Sequence, residues 1–447
     1  MSSIPAPPPA PAELPVVVIG AGPIGLAAAA HLRSYGLVPL VLEAGDRVGA
    51  AIREWGHVRT FTPWTWIVDE AADKLLAPTG WVRPDGAVPP TGDEIVERYL
   101  EPLAAALGAD VRTGTRVLAV TRLGMDKGRS VGRDAVPFVV RVQERSGAVT
   151  EVVARAVVDA SGTWGTPNPL GASGLPVPGE EAARAAGLLV GALPDVLGRD
   201  RHRFAGRRTL VVGNGHSAAT SLLDLSRLAR EVPGTEVVWA IRGTDARRLY
   251  GGGEADQLPD RGRIGTDLRT VVEAGLVEQV TGFSATAVVV APDGASVDVV
   301  GSTVAGSTPV GERRIPGIST VVLATGFRPD LRVLDEVRVE LDPGLESPVR
   351  LAPLIDPAFH SCGSVPPHGH RELGHPEPGL YVVGMKSYGR APTFLVATGN
   401  EQVRSVAAAI AGDLQAADDV RLELPETGVC SVGGREPQAA VSSACCG

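Results

Sequence analysis

The stretch Val16-Val17-Val18-Ile19-Gly20-Ala21-Gly22-Pro23-Ile24-Gly25 decides the fold. Its first four residues are apolar and β-branched, the composition of a strand buried on both faces. They feed a G-x-G-x-x-G turn made by Gly20, Gly22 and Gly25. An Ala-rich helical stretch over 26–35 follows and stops at Gly36, a plain C-cap. A second apolar run, 38–42, closes on Glu43. The glycine pattern alone is weak. Strand, helix, second strand and acidic end in this order make it a complete dinucleotide-binding βαβ unit. Gly20 permits the tight turn, Gly22 lets the backbone approach a pyrophosphate, and Gly25 lets the helix lie close on the sheet. Free N–H groups at the helix start complement phosphate charge. Glu43, 18 residues past Gly25, is placed to accept hydrogen bonds from ribose hydroxyls.

Working outward, a second unit begins at Thr209. A strand over 209–212 enters Gly213-Asn214-Gly215-His216-Ser217-Ala218, a G-x-G-x-x-A turn in which Ala218 still permits close packing. Gly213, Gly215 and Ser217 are its phosphate-facing candidates. The next strand, 236–241, closes on Arg242 in place of an acid. A guanidinium there suits a 2′-phosphate, which favours NADPH over NADH. Two more strands end in glycine corners, 157–162 at Gly162 and 319–326 at Gly326, and a short one over 381–384 ends at Gly384. These glycines are further cofactor-binding candidates. The expected fold class is α/β: two Rossmann-like three-layer dinucleotide-binding domains, the NADP domain inserted in the FAD domain. Residues 15–200 and 329–412 would form the FAD domain and 201–328 the NAD(P) domain. Residues 1–14 read as a disordered tail and 413–447 as a flexible, cysteine-containing one.

The net charge of −9 over 447 residues leaves no basic footprint, so nucleic acid is not an expected partner. No apolar run is long enough to span a membrane, and the first fifteen residues lack a signal-peptide pattern, so a cytoplasmic location is expected. Of the 42 basic residues only Lys74, Lys127 and Lys386 are lysines, which makes each surviving lysine informative. The four cysteines are Cys362, Cys430, Cys445 and Cys446. They form no C-x₂-C or C-x₄-C pair, so a redox dithiol beside a flavin is not expected. His360, Cys362, His368, His370 and His375 fall close together but match no zinc spacing, and no metal is expected.

Phe204-Ala205-Gly206-Arg207-Arg208 and Ala324-Thr325-Gly326-Phe327-Arg328-Pro329-Asp330 flank the second unit. With the two glycine turns they make the chain resemble flavin-dependent monooxygenases of the two-dinucleotide-binding-domain superfamily. More narrowly, Trp55-Gly56-His57-Val58-Arg59, Phe61-Thr62-Pro63-Trp64, His375-Pro376-Glu377-Pro378-Gly379, Gly384 to Pro392 and Glu426 to Ser431 resemble flavin monooxygenases of arsenic-resistance operons. The resemblance implies FAD in the first unit, NADPH in the second, and O₂ activated as a C4a-(hydro)peroxyflavin that oxygenates a soft nucleophilic small molecule or metalloid. Two positions depart from it. Leu210 stands where a related F-x-G-x-x-x-H motif carries His, and Met385 follows Gly384 where an Asp is usual.

Within that frame Lys386 and Arg59 are the catalytic candidates. A Lys386 ammonium near the flavin would stabilise its reduced, anionic form. Trp55 is a candidate wall of the flavin pocket. Cys430, Cys445 and Cys446 are soft thiols suited to capturing a trivalent arsenical. Two other readings stay open: an NAD(P)H-dependent flavin reductase or oxidase serving a partner or metal ion, and a metalloid-binding carrier with a silent flavin.

Overall fold

The computed structural model describes residues 14–424, apart from 252, 254, 255, 306, 307, 361–364 and 423. Its strands, in chain order, are β1 (Val16–Ile19), β2 (Pro39–Leu42), β3 (Val111–Arg112), β4 (Thr115–Arg122), β5 (Phe138–Glu144), β6 (Val149–Ala154), β7 (Ala156–Asp159) and β8 (Leu189–Val190). There follow β9 (Arg208–Val212), β10 (Glu236–Ala240), β11 (Glu278–Val280), β12 (Phe283–Val290), β13 (Val297–Ala305), β14 (Thr308–Ile318), β15 (Thr320–Leu323) and β16 (Leu380–Val382).

Two five-stranded parallel sheets dominate, in the orders β16-β7-β1-β2-β3 and β11-β10-β9-β15-β8. β1 is central in the first: Ile19 pairs with Leu42 on one side and Asp159 on the other. β9 repeats this in the second, with Val212 beside Ala240 and Leu323. Strand order reverses at these central strands, so each leaves a crevice beyond its C-terminal end. The Gly20 and Gly213 turns start there. All four β1 residues are buried, as the continuous apolar run requires. The second sheet interrupts the chain between β7 and β16 of the first, so the nucleotide-binding domain is inserted as expected. Two three-stranded antiparallel sheets, β4-β5-β6 and β12-β13-β14, flank the parallel ones. Helix Pro23–Ser34 packs along helix Val396–Ala411, where a Cβ at Gly399 would stand 2.5 Å from Ile24 Cδ1.

Two boundaries differ from expectation. β8 pairs with β15, Leu189 beside Val321, so the second sheet takes its edge strand from before residue 201. The chain changes domain nearer Pro167, which bridges Phe327. A two-residue edge strand carries no periodicity, so sequence patterning cannot place it. The expected flexible tail also begins too early. Helix Leu414–Asp418 is capped by the Asp413 carboxylate, which accepts from Ala416 N at 3.0 Å. Arg404 and Ser405 donate to Ala416 O and Ala417 O, and Arg371 pairs with Asp418. Acidic residues that look solvated in one dimension are paired with arginines from elsewhere. Cys362, Cys430, Cys445 and Cys446 lie outside the described residues. No described helix is long and apolar enough to cross a membrane.

Candidate cofactor and active site

The first glycine turn has the stereochemistry of its motif. Gly20 sits at φ +98°, and a Cβ there would lie 2.9 Å from Ala160 O. A Cβ on Gly25 would be 1.9 Å from Gly20 O, a backbone contact that no rotamer relieves. A Cβ on Gly22, by contrast, meets nothing within 4 Å. Gly22 also caps helix Pro23–Ser34 without a side-chain bond, so the helix start faces open space with unsatisfied N–H groups. Glu43 reaches the same turn. Its Oε2 accepts from Ala21 N and its Oε1 from Gly45 N, both at 2.7 Å. It therefore shapes the turn, and each oxygen keeps a second lone pair for a ribose hydroxyl. Thr393 is 3% exposed and its Oγ1 has no partner among the described residues, just ahead of helix Val396–Ala411. An uncapped helix start, an open glycine and a positioned carboxylate fit a flavin dinucleotide.

Lys386 is beside this turn but not in the state expected. Its Nζ donates to Asp159 Oδ2 at 2.6 Å and to Ser161 Oγ at 3.0 Å, and Ser161 Oγ donates to Asp159 Oδ1 at 2.7 Å. Both ionic groups are buried, Lys386 at 2% exposure and Asp159 at 0%. The ammonium is held in contact with a carboxylate, a partner that the sequence reading did not foresee. The carboxylate that meets Lys386 comes from another strand, β7, which ends in Asp159. Gly384 itself adopts φ +68° and donates its N–H to Gln402 Oε1 at 2.8 Å. Gln402 Nε2 in turn meets His368 Nε2 at 3.0 Å, while His368 Nδ1 lies 2.9 Å from Pro366 O. That pair of partners assigns the proton to Nδ1 and leaves His368 neutral.

In the second turn Gly213 takes φ +145°, with Ala324 O 2.1 Å from a hypothetical Cβ, while Gly215 faces open space. Helix His216–Glu231 starts there without a side-chain cap, and Ser217 lies in its first turn. Arg242 follows β10, exposed, with Nη1 3.3 Å from Ala172 O. This set fits a second dinucleotide.

The two domains meet along an antiparallel seam. Asn168 N donates to Gly326 O and Thr325 Oγ1 to Asn168 O. Trp164 stacks on Phe327 at 4.9 Å, and Trp55 packs against Trp164 at 6.5 Å. Gly162 and Gly326 turn the chain at its ends with φ +69° and +87°. Trp55 therefore lies at the seam. Arg59 is held at Pro89 O and Glu94 Oε2 with its side chain 55% exposed, so it does not join buried Lys386. Asp159, Ser161 and Thr393 were missed in the sequence. Asp159 left a signal, an acid closing an apolar strand. Among the described residues no cluster could hold a metal ion.

Three histidines are held below the ordinary imidazole range. Burial, with help from Arg261, pushes His216 down to about 4, burial does the same to His375, and burial also lowers His368. Each stays neutral in the folded chain while its unfolded counterpart takes a proton near pH 6.5. The unfolded state then binds more protons, so stability is full above about pH 6.5 and falls as pH drops toward 4. Denaturation midpoints at pH 7.5, 6, 5 and 4.5 should decline in that order. A flat profile would reject the neutral assignments.

The chain matches the family model described as pyridine nucleotide-disulphide oxidoreductase over residues 17–349. No curated protein matches it in sequence. Among solved structures it is similar to the bacillithiol disulfide reductase Bdr (YpdA) from Bacillus cereus, with 19% identity, TM-score 0.64, and 89% of this chain and 99% of that one covered. It is also similar to DfoA, the FAD-bound cadaverine monooxygenase of desferrioxamine biosynthesis from Erwinia amylovora, at 15% identity, TM-score 0.60, and 93% and 98% coverage. A flavin monooxygenase from Stenotrophomonas maltophilia is 23% identical, with TM-score 0.53 and 89% and 98% coverage. Reductases and monooxygenases thus share this two-domain fold.

Proposed function

Because the chain belongs to the pyridine nucleotide-disulphide oxidoreductase family, we propose that it is a cytoplasmic FAD- and NADPH-dependent monooxygenase of a soft nucleophilic substrate. The observation that carries this reading is the pairing of two open glycine turns with an absence of cysteine throughout residues 1–361. Disulfide reduction through a dithiol beside the flavin needs a cysteine pair there. FAD, when bound, supplies hydride acceptance from NADPH and two-electron chemistry with O₂.

The residues do the rest. Gly20, Gly22 and Gly25 bring backbone N–H groups to a pyrophosphate, and Glu43 takes ribose hydroxyls. The Lys386–Asp159 pair holds the Ser161 hydroxyl at the edge of this site. Gly213, Gly215 and Ser217 receive the second pyrophosphate, and Arg242 a 2′-phosphate. The Trp55, Trp164 and Phe327 cluster shields the seam from water.

For substrate we propose a trivalent arsenical, in arsenic resistance. Support comes from the chemistry of Cys430, Cys445 and Cys446, whose thiolates select soft ions. Leu424 lines the cavity between the domains beside Phe61 and Trp66. Cys430 lies six residues further along the sequence.

The test is NADPH oxidation by the purified flavoprotein. Anaerobic NADPH should bleach the flavin, and methylarsenite should couple O₂ uptake to an oxygenated product. Peroxide release or disulfide reduction without oxygenation would favour a reductase. Arg242→Ala should raise the KM for NADPH about ten- to hundredfold, the loss of one charge-assisted contact, and leave that for NADH unchanged. Equal effects on both nucleotides would remove Arg242 from the 2′-phosphate role.

A further inference from the structure

We infer that Arg261 is a receptor for a phosphate-type oxyanion at the start of the second nucleotide helix, resting in part on the nucleotide site proposed above. Arg261 is 5% exposed and Asp256 8%. Asp256 accepts from Arg261 Nε at 2.8 Å and from Nη2 at 2.6 Å, a two-pronged grip that fixes the guanidinium plane. The third nitrogen, Nη1, is buried and has no partner among the described residues. A buried charged group with an unmade bond calls for an acceptor.

The surroundings say which. Helix Pro259–Glu273, which carries Arg261, is pressed backbone-to-backbone on the loop before it. A Cβ on Gly262 would be 2.1 Å from Gly253 O, and one on Gly265 2.2 Å from Tyr250 O. The backbone that carries Arg261 is thus held close to the loop that carries Asp256. Phe61, from the first domain, lies between it and the second glycine turn. The Phe61 ring is 5.9 Å from Arg261 Cζ and 4.9 Å from the His216 ring. His216 is the first residue of the uncapped 16-residue helix His216–Glu231. Arg261 also holds the His216 imidazole toward its neutral form, which reports that the two are electrostatically close. Phe61 thus touches both a guanidinium nitrogen without a partner among the described residues and an uncapped helix N-terminus, and both groups complement an oxyanion.

There is also a way in. Phe61 forms part of the wall of a cavity of about 410 Å³, together with Leu258, Pro259 and Asp260 from the turn that leads into Arg261. Asp260 is paired with Arg263 at 3.3 Å. Phe61 is the side chain common to the cavity wall and the surroundings of Arg261, so the cavity would reach the guanidinium if this ring turned aside. The oxyanion has two sources of the same chemistry: the pyrophosphate of a nicotinamide nucleotide, or an oxyanionic substrate.

The experiment titrates the holoprotein with NADP⁺, with adenosine 2′-monophosphate, which carries neither phosphate of the pyrophosphate, and with inorganic pyrophosphate. Arg261→Gln should weaken NADP⁺ and pyrophosphate about ten- to hundredfold, leave the monophosphate unchanged, and be partly rescued by Arg261→Lys. Weakening of pyrophosphate alone would uphold the receptor and assign it to a substrate oxyanion. Pyrophosphate binding that depends on Arg261 in a protein that ignores NADP⁺ would uphold the receptor and reject the nucleotide reading. Unchanged binding of both NADP⁺ and pyrophosphate in a folded Arg261→Gln protein overturns the proposal, as does a wild type that binds neither. Should Arg261→Gln not fold, Phe61→Ala decides: removing the cover should tighten pyrophosphate, and no gain would count against it.

Discussion

Replacing Glu377 by Ala should lower the unfolding free energy by about 3–5 kcal/mol, the usual cost of breaking a buried ion pair by removing one partner. Glu377 is 1% exposed and sits between two buried guanidinium groups. Arg122 Nε donates to Oε1 at 2.7 Å, and Arg133 Nη2 and Nε donate to Oε2 at 2.8 and 3.0 Å. Arg338 N adds a fourth bond at 3.0 Å. These contacts outweigh burial and hold the carboxyl below its ordinary range. The arginines come from β4 and from the turn before β5, while Glu377 precedes β16. The triad therefore ties the β4-β5-β6 sheet to the last strand of the first parallel sheet, across 244 and 255 residues of sequence. Removing the carboxylate leaves two cations facing each other out of water. Glu377→Gln keeps acceptor geometry on one oxygen but not the charge, and should fall between wild type and Ala. Urea denaturation monitored by circular dichroism measures this; a Glu377→Ala shift under about 1 kcal/mol would show that the triad is not structural. In the sequence this residue belonged only to a stretch that resembles flavin monooxygenases. Its contacts make it a clamp.

The second large effect is at Lys386. Lys386→Met should cost about 3–5 kcal/mol, because the Asp159 carboxylate is left buried and unpaired. The double variant Lys386→Met/Asp159→Asn should recover much of that loss, since it removes the stranded charge. Two single losses that simply add would refute the ion pair. The double variant also separates two accounts of the flavin. If a free cation stabilised the reduced form, the potential would drop on losing Lys386 and stay low in the double variant. If the pair acts by holding Ser161, the charge change is nil and the potential should move little, while FAD release should quicken. Flavin fluorescence and redox titration of the same samples read both.

Much of the site was legible because its chemistry is local. The two glycine turns need backbone geometry within six residues, and at Gly20, Gly25 and Gly213 a Cβ would collide with backbone. Glu43 and Arg242 could be placed by counting along a strand and a helix. Lys386 and Arg59 could not. Both were picked out by type and neighbourhood in sequence, and their partners, Asp159 at 227 residues and Glu94 at 35, come from other elements. Arg261 was invisible for a like reason: in an arginine-rich chain nothing marks it, and its distinction is one nitrogen without a partner among the described residues.

The sequence by itself determined the α/β class, the order of the two nucleotide units, the insertion of one in the other and the absence of a cysteine pair before residue 362. Those follow from short-range periodicity, from turn stereochemistry and from composition. Only the tertiary structure decided the pairing of β8 with β15, the docking of helix Leu414–Asp418, the Glu377 clamp, the contact of Lys386 with Asp159 and the Arg261 nitrogen without a partner among the described residues. The physical reason is common to all five. A charge or an edge strand acts through what lies within a few ångströms, and chain closure sets those neighbours, some from more than two hundred residues away, where no local pattern records them.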